Sequence, residues 1–200
     1  MSTQLARPVR RAVGLVLLGG VLVAAVVLWS RTDAEARTAP YEDPQAAGGI
    51  TLCSGDGEPV TEGSVDDTPF AAVALGSTGV PSDLDDTGAV GTLYAYQPRE
   101  GVSPSEFSGT AITAAGVLAD PDRPAVAVTE DSWSVGDFVT AYPADFDGYV
   151  QLRLYLGTPA ASTLSDRPYD TADLRVDGDR WELVAGGSAA CTATQTSEEN

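Results

Sequence analysis

Residues 12 to 29 read AVGLVLLGGVLVAAVVLW, an uncharged run with no polar face to turn toward water, so it cannot be an ordinary surface helix. Its roughly 18 residues, at about 1.5 Å of rise each, reach about 27 Å, close to the thickness of a hydrocarbon core. Arg7, Arg10 and Arg11 precede the run, and basic residues stay on the cytoplasmic side of a membrane. Trp29 closes it, where an interfacial aromatic belongs. The pattern predicts a cytoplasmic N-terminus over 1–11 and a single transmembrane anchor over 12–30. The remainder is then extracytoplasmic at the plasma membrane. Ala34-Glu35-Ala36 offers a small-residue cleavage site, so a secreted product is the alternative. The length of the run and Trp29 favour the uncleaved anchor. No Cys follows the run closely enough for lipid attachment.

Charge is the next constraint. The 200 residues hold 11 basic and 29 acidic side chains, a net of −18, with no His. Every basic residue is Arg. Five of them (Arg7, Arg10, Arg11, Arg31, Arg37) precede residue 38, with only Asp33 and Glu35 as acidic company, so the exported part is more acidic than the whole. Such a surface repels phosphate backbones and disfavours nucleic acid as a partner. It also favours solubility.

Cys53 stands near the start of the exported part and Cys191 near its end. Two Cys in an oxidising compartment usually pair. Closing so long a loop stabilises by about 4–5 kcal/mol in the chain-entropy model. Two buried thiols are the other reading. Two Cys without His do not fill a zinc shell.

Residues 31–48 mix charge, Pro and small side chains without period and read as a linker; 192–200 read as a polar tail. Between them, residues 49–191 read as one β-rich domain. Tyr149 to Leu156 (YVQLRLYL) alternates strictly: Val150, Leu152, Leu154 and Leu156 share one face, and Tyr149, Gln151, Arg153 and Tyr155 the other. That is the pattern of a half-buried strand. Leu174 to Val184 reads as a hairpin turning at Asp177-Gly178. Trp181 and Leu183 face the core there, and Arg180 and Glu182 face solvent. Further strands are expected at Ile50–Cys53, Phe70–Leu75, Gly91–Tyr96, Ala111–Leu118, Ala125–Thr129 and Asp137–Tyr142. A short helical turn is expected at Pro104–Phe107. The fold class is all-β, a sandwich or small barrel after one N-terminal transmembrane helix.

The stretches LYAYQPREG (93–101), GYVQLRLYLG (148–157) and DLRVDGDRWELV (173–184), with the Arg-only, Ala/Val/Gly-rich composition, resemble membrane-anchored extracytoplasmic proteins of GC-rich actinobacteria. The resemblance covers most of the exported part and implies no activity and no site residues.

Absent residue types exclude much chemistry. Without His, Ser-His-Asp and Cys-His catalysis cannot be built. Without Lys, Schiff bases, P-loops and Ser-Lys dyads go too. Carboxylates remain. Asp86-Thr87-Gly88-Ala89 copies a short aspartic-protease signature, but no second copy follows and no apolar strand leads into it. A surface turn accounts for it better. A glycosidase needs two facing carboxylates and aromatic platforms, and no such pair stands out. Asp83-x-Asp85-x-Thr87-Gly88 opens like an EF-hand loop, yet Tyr94 stands where the closing Glu belongs. Asp145-x-Asp147-Gly148 is a shorter acidic turn. Asp83, Asp85, Asp145 and Asp147 are therefore the calcium candidates, against the simpler reading of Asp and Gly as turn formers. No catalytic residue and no organic cofactor is assigned.

These constraints point to an extracytoplasmic binding or envelope-associated module, not an enzyme, with an envelope protein or glycan as partner. A carboxylate-only, glycosidase-like hydrolase is the alternative. Carbonate extraction of a membrane fraction is expected to leave the full-length chain in the pellet, with residues 49–191 open to external protease. A soluble product beginning near Arg37 would show a cleaved signal instead.

Overall fold

The computed structural model describes residues 38–85 and 88–192. The anchor expected at 12–30, and the tail beyond Thr192, lie outside the described residues. No helix among the described residues is long and apolar enough to cross a membrane. The described chain is all-β. Its strands are β1 (Ala46–Cys53), β2 (Glu62–Ser64), β3 (Val73–Gly76), β4 (Val90–Gln97), β5 (Ser108–Ala111), β6 (Gly116–Val117), β7 (Ala125–Ala127), β8 (Tyr149–Gly157), β9 (Tyr169–Asp177) and β10 (Arg180–Ala185). Two short helices, α1 (Ser82–Asp85) and α2 (Val135–Ala141), and a 3-10 turn at Pro104–Glu106 interrupt them.

All ten strands join one mixed sheet, ordered β5-β4-β8-β9-β1-β3-β7, with β10 pairing β9 and β2, and β6 pairing β4. β1 is shared between two partners. Ala46 to Gly49 run parallel to β9, and Ile50 to Cys53 run antiparallel to β3. β4 and β7, distant in this order, approach each other: a Cβ built on Gly91 of β4 would lie 2.8 Å from Val126 Cγ2 of β7.

β8 lies inside the sheet, between β4 and β9, and its apolar face joins the core. Val150, Leu152 and Leu154 join Ile50, Leu52, Leu93, Ala95, Ala172, Leu174 and Trp181 in the apolar core. Each buried Val or Leu contributes about 1.5–3 kcal/mol. The opposite face, expected to meet solvent, is buried as well: Tyr149, Gln151, Arg153 and Tyr155 are all at most 6% exposed. The covering comes from the segment before β1 and the turn at Pro104–Phe107. The described part of the expected linker, 38–48, is packed structure, with β1 already under way at Ala46.

Two strand expectations change. Residues 137–141 belong to α2, with Tyr142 as its C-cap, and not to a strand. Ser134 caps that helix: its Oγ accepts from Asp137 N–H while the Asp137 carboxylate accepts from Ser134 N–H, a reciprocal capping box. Ala111–Leu118 is broken into the end of β5 and the two residues of β6. Between them Ile112 N–H bonds Leu93 C=O and the Thr113 hydroxyl accepts from Leu93 N–H, which turns the chain.

Cys53 and Cys191 form a disulfide with Cα atoms 5.7 Å apart. It ties the end of β1 to the segment after β10, which runs back along β1: Gly187 N–H bonds Ile50 C=O at 2.8 Å and Ala189 N–H bonds the Thr51 hydroxyl at 2.9 Å. The approach is close enough that a Cβ on Gly49 would lie 2.6 Å from Gly187 N.

The β9–β10 hairpin turns at Asp177-Gly178, with Gly178 at φ 63° as such a turn demands. Trp181 lies opposite Val176, and Leu183 opposite Leu174. Trp181 is 1% exposed, meets Phe70 edge-on at 6.2 Å, and donates its indole N–H to Ser64 C=O of β2. Arg180 and Glu182 face solvent. Trp181→Ala should lower unfolding free energy by about 3–5 kcal/mol through the cavity it leaves. Chemical denaturation measures this, and an unmoved midpoint would refute the core role.

Candidate functional site

Two groups of polar side chains are buried against the sheet, on opposite faces. The first is built on the outer face of β8. Arg153, 3% exposed, lies over the Tyr96 ring at 4.0 Å and the Tyr169 ring at 4.8 Å. Register explains the grouping: Tyr94 pairs Arg153, and Tyr96 pairs Gln151, so β4 presents its tyrosines to the same face. Arg153 Nε donates to Gln151 Oε1 at 2.7 Å, one terminal nitrogen to Pro104 C=O at 2.7 Å, and the other to the Tyr155 hydroxyl at 3.3 Å. The Asp43 carboxylate stands 3.6 Å away.

The segment before β1 is fastened onto this face. Tyr169 donates its hydroxyl to Asp43, Tyr41 donates to Asp173, and Tyr149 donates to Thr38 C=O. Burial raises the pKa of Tyr41, Tyr96 and Tyr169 well above the ordinary phenol value, so these hydroxyls stay protonated donors. Asp173 is pushed up from 3.8 to about 6, first by burial and then by the Asp43 carboxylate, against the lowering effects of the Tyr41 hydrogen bond and Arg153. Among the described residues no buried side-chain nitrogen or oxygen lacks a hydrogen-bond partner. The cage is closed and satisfied, with no polar group left over for a ligand.

The second group opens to a cavity. A space of about 290 Å³ lies where the end of β8 meets the start of β9, under the loop from Thr78 to α1. Leu154, Leu156, Leu84, Pro81 and Pro168 give it apolar walls, and Asp170 gives it a carboxylate. Asp170 pairs Leu154 across the ladder, so it shares the core face with Leu154, Ala172 and Leu174. It is 3% exposed. Its two oxygens accept from Thr78: the hydroxyl at 2.6 Å and the backbone N–H at 2.9 Å. Two glycines make room for the group. A Cβ on Gly48 would lie 2.5 Å from Asp170 Oδ1, and one on Gly76 would lie 2.6 Å from Oδ2. The volume is at the small end of ligand pockets, and the mix of apolar walls with one placed polar group is typical of them.

Of the calcium candidates, Asp83 lies on α1 and Asp145 and Asp147 lie in the turn before β8. Asp83 on α1 is bonded by both terminal nitrogens of Arg167, which holds its carboxyl below the usual value. Asp147 occupies a turn position at φ 52°, and its backbone carbonyl accepts from Arg175 Nε. Asp145 lies in that same turn. The side chain of Asp85 is outside the described residues, as are Asp86 and Thr87 of the protease-like signature. No group of three or more His, Cys, Asp or Glu able to hold a metal occurs among the described residues.

Sequence reading missed Asp170, and the signal was available. Extending the alternation of β9 backward from Leu174 places Ala172 and then Asp170 on the apolar face, a charge where the period demands a hydrophobe. Thr78 gave no comparable signal, because its bond to Asp170 spans distant parts of the chain. No protein-family model, no curated protein and no solved structure matches this chain.

Asp173 also makes stability depend on pH. The folded state holds its proton to about pH 6, the unfolded chain only to about 3.8, so folding binds a proton between these values. Stability therefore falls as pH rises through that window and stays low above it. Relative to Asp173→Asn, which cannot ionise, the wild type should lose roughly 2 kcal/mol between pH 4 and 7, at 1.36 kcal/mol per unit of pKa difference. Urea midpoints of both proteins across this range test it; parallel curves would show that Asp173 titrates normally.

Proposed function

We propose that this chain is a single-pass plasma-membrane protein, N-terminus inside, whose extracytoplasmic domain binds a small ligand in the cavity at the end of β8 and is not an enzyme. The cavity carries the reading: it is an apolar pocket with one buried carboxylate in an otherwise densely hydrogen-bonded domain. The apolar run with its preceding arginines supports the membrane placement. The disulfide fits an oxidising compartment. Of the two expected architectures the small barrel is favoured, because the sheet's β4 and β7 meet at Gly91 and Val126.

The hydrolase alternative draws less support. Glycoside hydrolysis needs a second carboxyl group about 5–10 Å across from the first in one cleft. Asp170 is the only carboxylate among the residues lining this cavity, and nearby Asp83 is engaged by Arg167.

Ligand binding to the folded state raises stability by about 2.7 kcal/mol at a hundred times Kd. Thermal-shift screening of the full-length protein in detergent against small amphiphiles should find concentration-dependent rises in Tm. Leu156→Trp, which fills the cavity, should keep a cooperative melt and lose that response. Equal responses from both proteins, or none from the wild type, would remove the cavity as a ligand site.

A further inference from the structure

Asp170 poses a problem of charge that its hydrogen bonds do not solve. Fastening the Thr78 turn requires acceptor oxygens, not a net charge. Yet the residue is a carboxylate, 3% exposed, and no ion pair among the described residues includes it. A buried carboxylate without a counter-charge is costly. The nearest cation of this chain that lines the same cavity is Arg167, and both its terminal nitrogens are turned to Asp83. Thr78 uses one acceptor position on each oxygen, while an ionised carboxylate offers about four. The remaining acceptor capacity belongs to a group that lines an open space.

We propose that the cavity takes an organic cation, an ammonium group on a short apolar chain, with Asp170 as its counter-charge. The inference rests on the reading of the cavity as a ligand site and specifies what enters it. The apolar chain would lie along Leu84, Leu154, Leu156, Pro81 and Pro168, and the ammonium would donate to Asp170. A metal ion suits the place less well. One carboxylate among leucines and prolines supplies too few oxygen ligands for a hard divalent cation. The net charge of −18 draws cations of either kind toward the domain and repels anions. The glycines at 48 and 76 keep space for the carboxylate itself, because a Cβ at either position would run into its oxygens.

Three probes of one size separate the causes: n-hexylammonium, n-hexanol and hexanoate, titrated calorimetrically into the full-length protein in detergent. The cation should bind at least tenfold more tightly than the alcohol, and hexanoate should not bind measurably. Asp170→Asn should cut hexylammonium affinity by tenfold or more and leave hexanol unchanged. Should that variant fail to fold, the comparison of probes on the wild type still decides. Hexanol binding as tightly as hexylammonium would overturn the charge assignment while leaving the cavity a ligand site. Failure of all three to bind would overturn both.

Discussion

Arg153 is the cation around which the outer face of the sheet is organised. A guanidinium at 3% exposure is tolerable only if its donors are met and its charge is balanced. Gln151, Pro104 C=O and the Tyr155 hydroxyl meet the donors; Asp43 balances the charge; Tyr96 and Tyr169 stack on its planar faces. Arginine fits this place better than an ammonium would, because it is flat and carries donors around its rim. The arrangement also dictates what must cover β8. Asp43 and Tyr41 come from the segment before β1, and Pro104 from the turn before β5, so two otherwise irregular stretches are drawn onto the sheet. Burying β8 on both faces thus depends on one charged side chain at its centre.

This explains which parts of the fold were legible. The alternation of YVQLRLYL located β8 and its core face, and the Asp-Gly turn located the β9–β10 hairpin with Trp181 inward. Local pattern could not reveal the covering of the outer face, since Tyr41 and Asp43 reach it from more than a hundred residues away. The parallel pairing of β1 with β9 is equally non-local. Residues 137–142 misled for a different reason. Val, Phe, Thr and Tyr favour strands by propensity, but the capping box at Ser134 and Asp137 starts a helix, and a cap is a stronger local signal than β-branched composition. The short 3-10 turn at Pro104 was legible because proline presets its first dihedral.

The acidic turns illustrate how ambiguous composition is. Asp83, Asp145 and Asp147 looked alike in sequence, as Asp next to turn-forming residues. In the fold one is paired with Arg167, one sits at a positive φ within a tight turn, and the third belongs to the same turn as the second. Asp and Gly are both good turn formers, so their recurrence alone does not mark a site. Asp170 carried no such local signature, and it is the acidic residue with the most unusual surroundings: flanked by Tyr169 and Thr171, which face the arginine cage, it points alone into the opposite side of the sheet.

The contrast between the two faces follows from a shortage of cations. Only Arg99, Arg123, Arg153, Arg167, Arg175 and Arg180 lie beyond residue 38, and there is no Lys or His to supplement them. Arg153 is committed to Asp43, Arg167 to Asp83, Arg175 to Glu182 and Arg180 to Glu62 of β2. Arg99 bonds the Glu106 carbonyl and Arg123 the Ala190 carbonyl. On the outer face Asp173, near the same arginine, answers the shortage by keeping its proton to about pH 6. On the core face Asp170 has Thr78 as a neutral partner and an open cavity beside it. One surplus acid is accommodated by protonation inside a closed cage; the other faces a cavity that a cation from outside could enter.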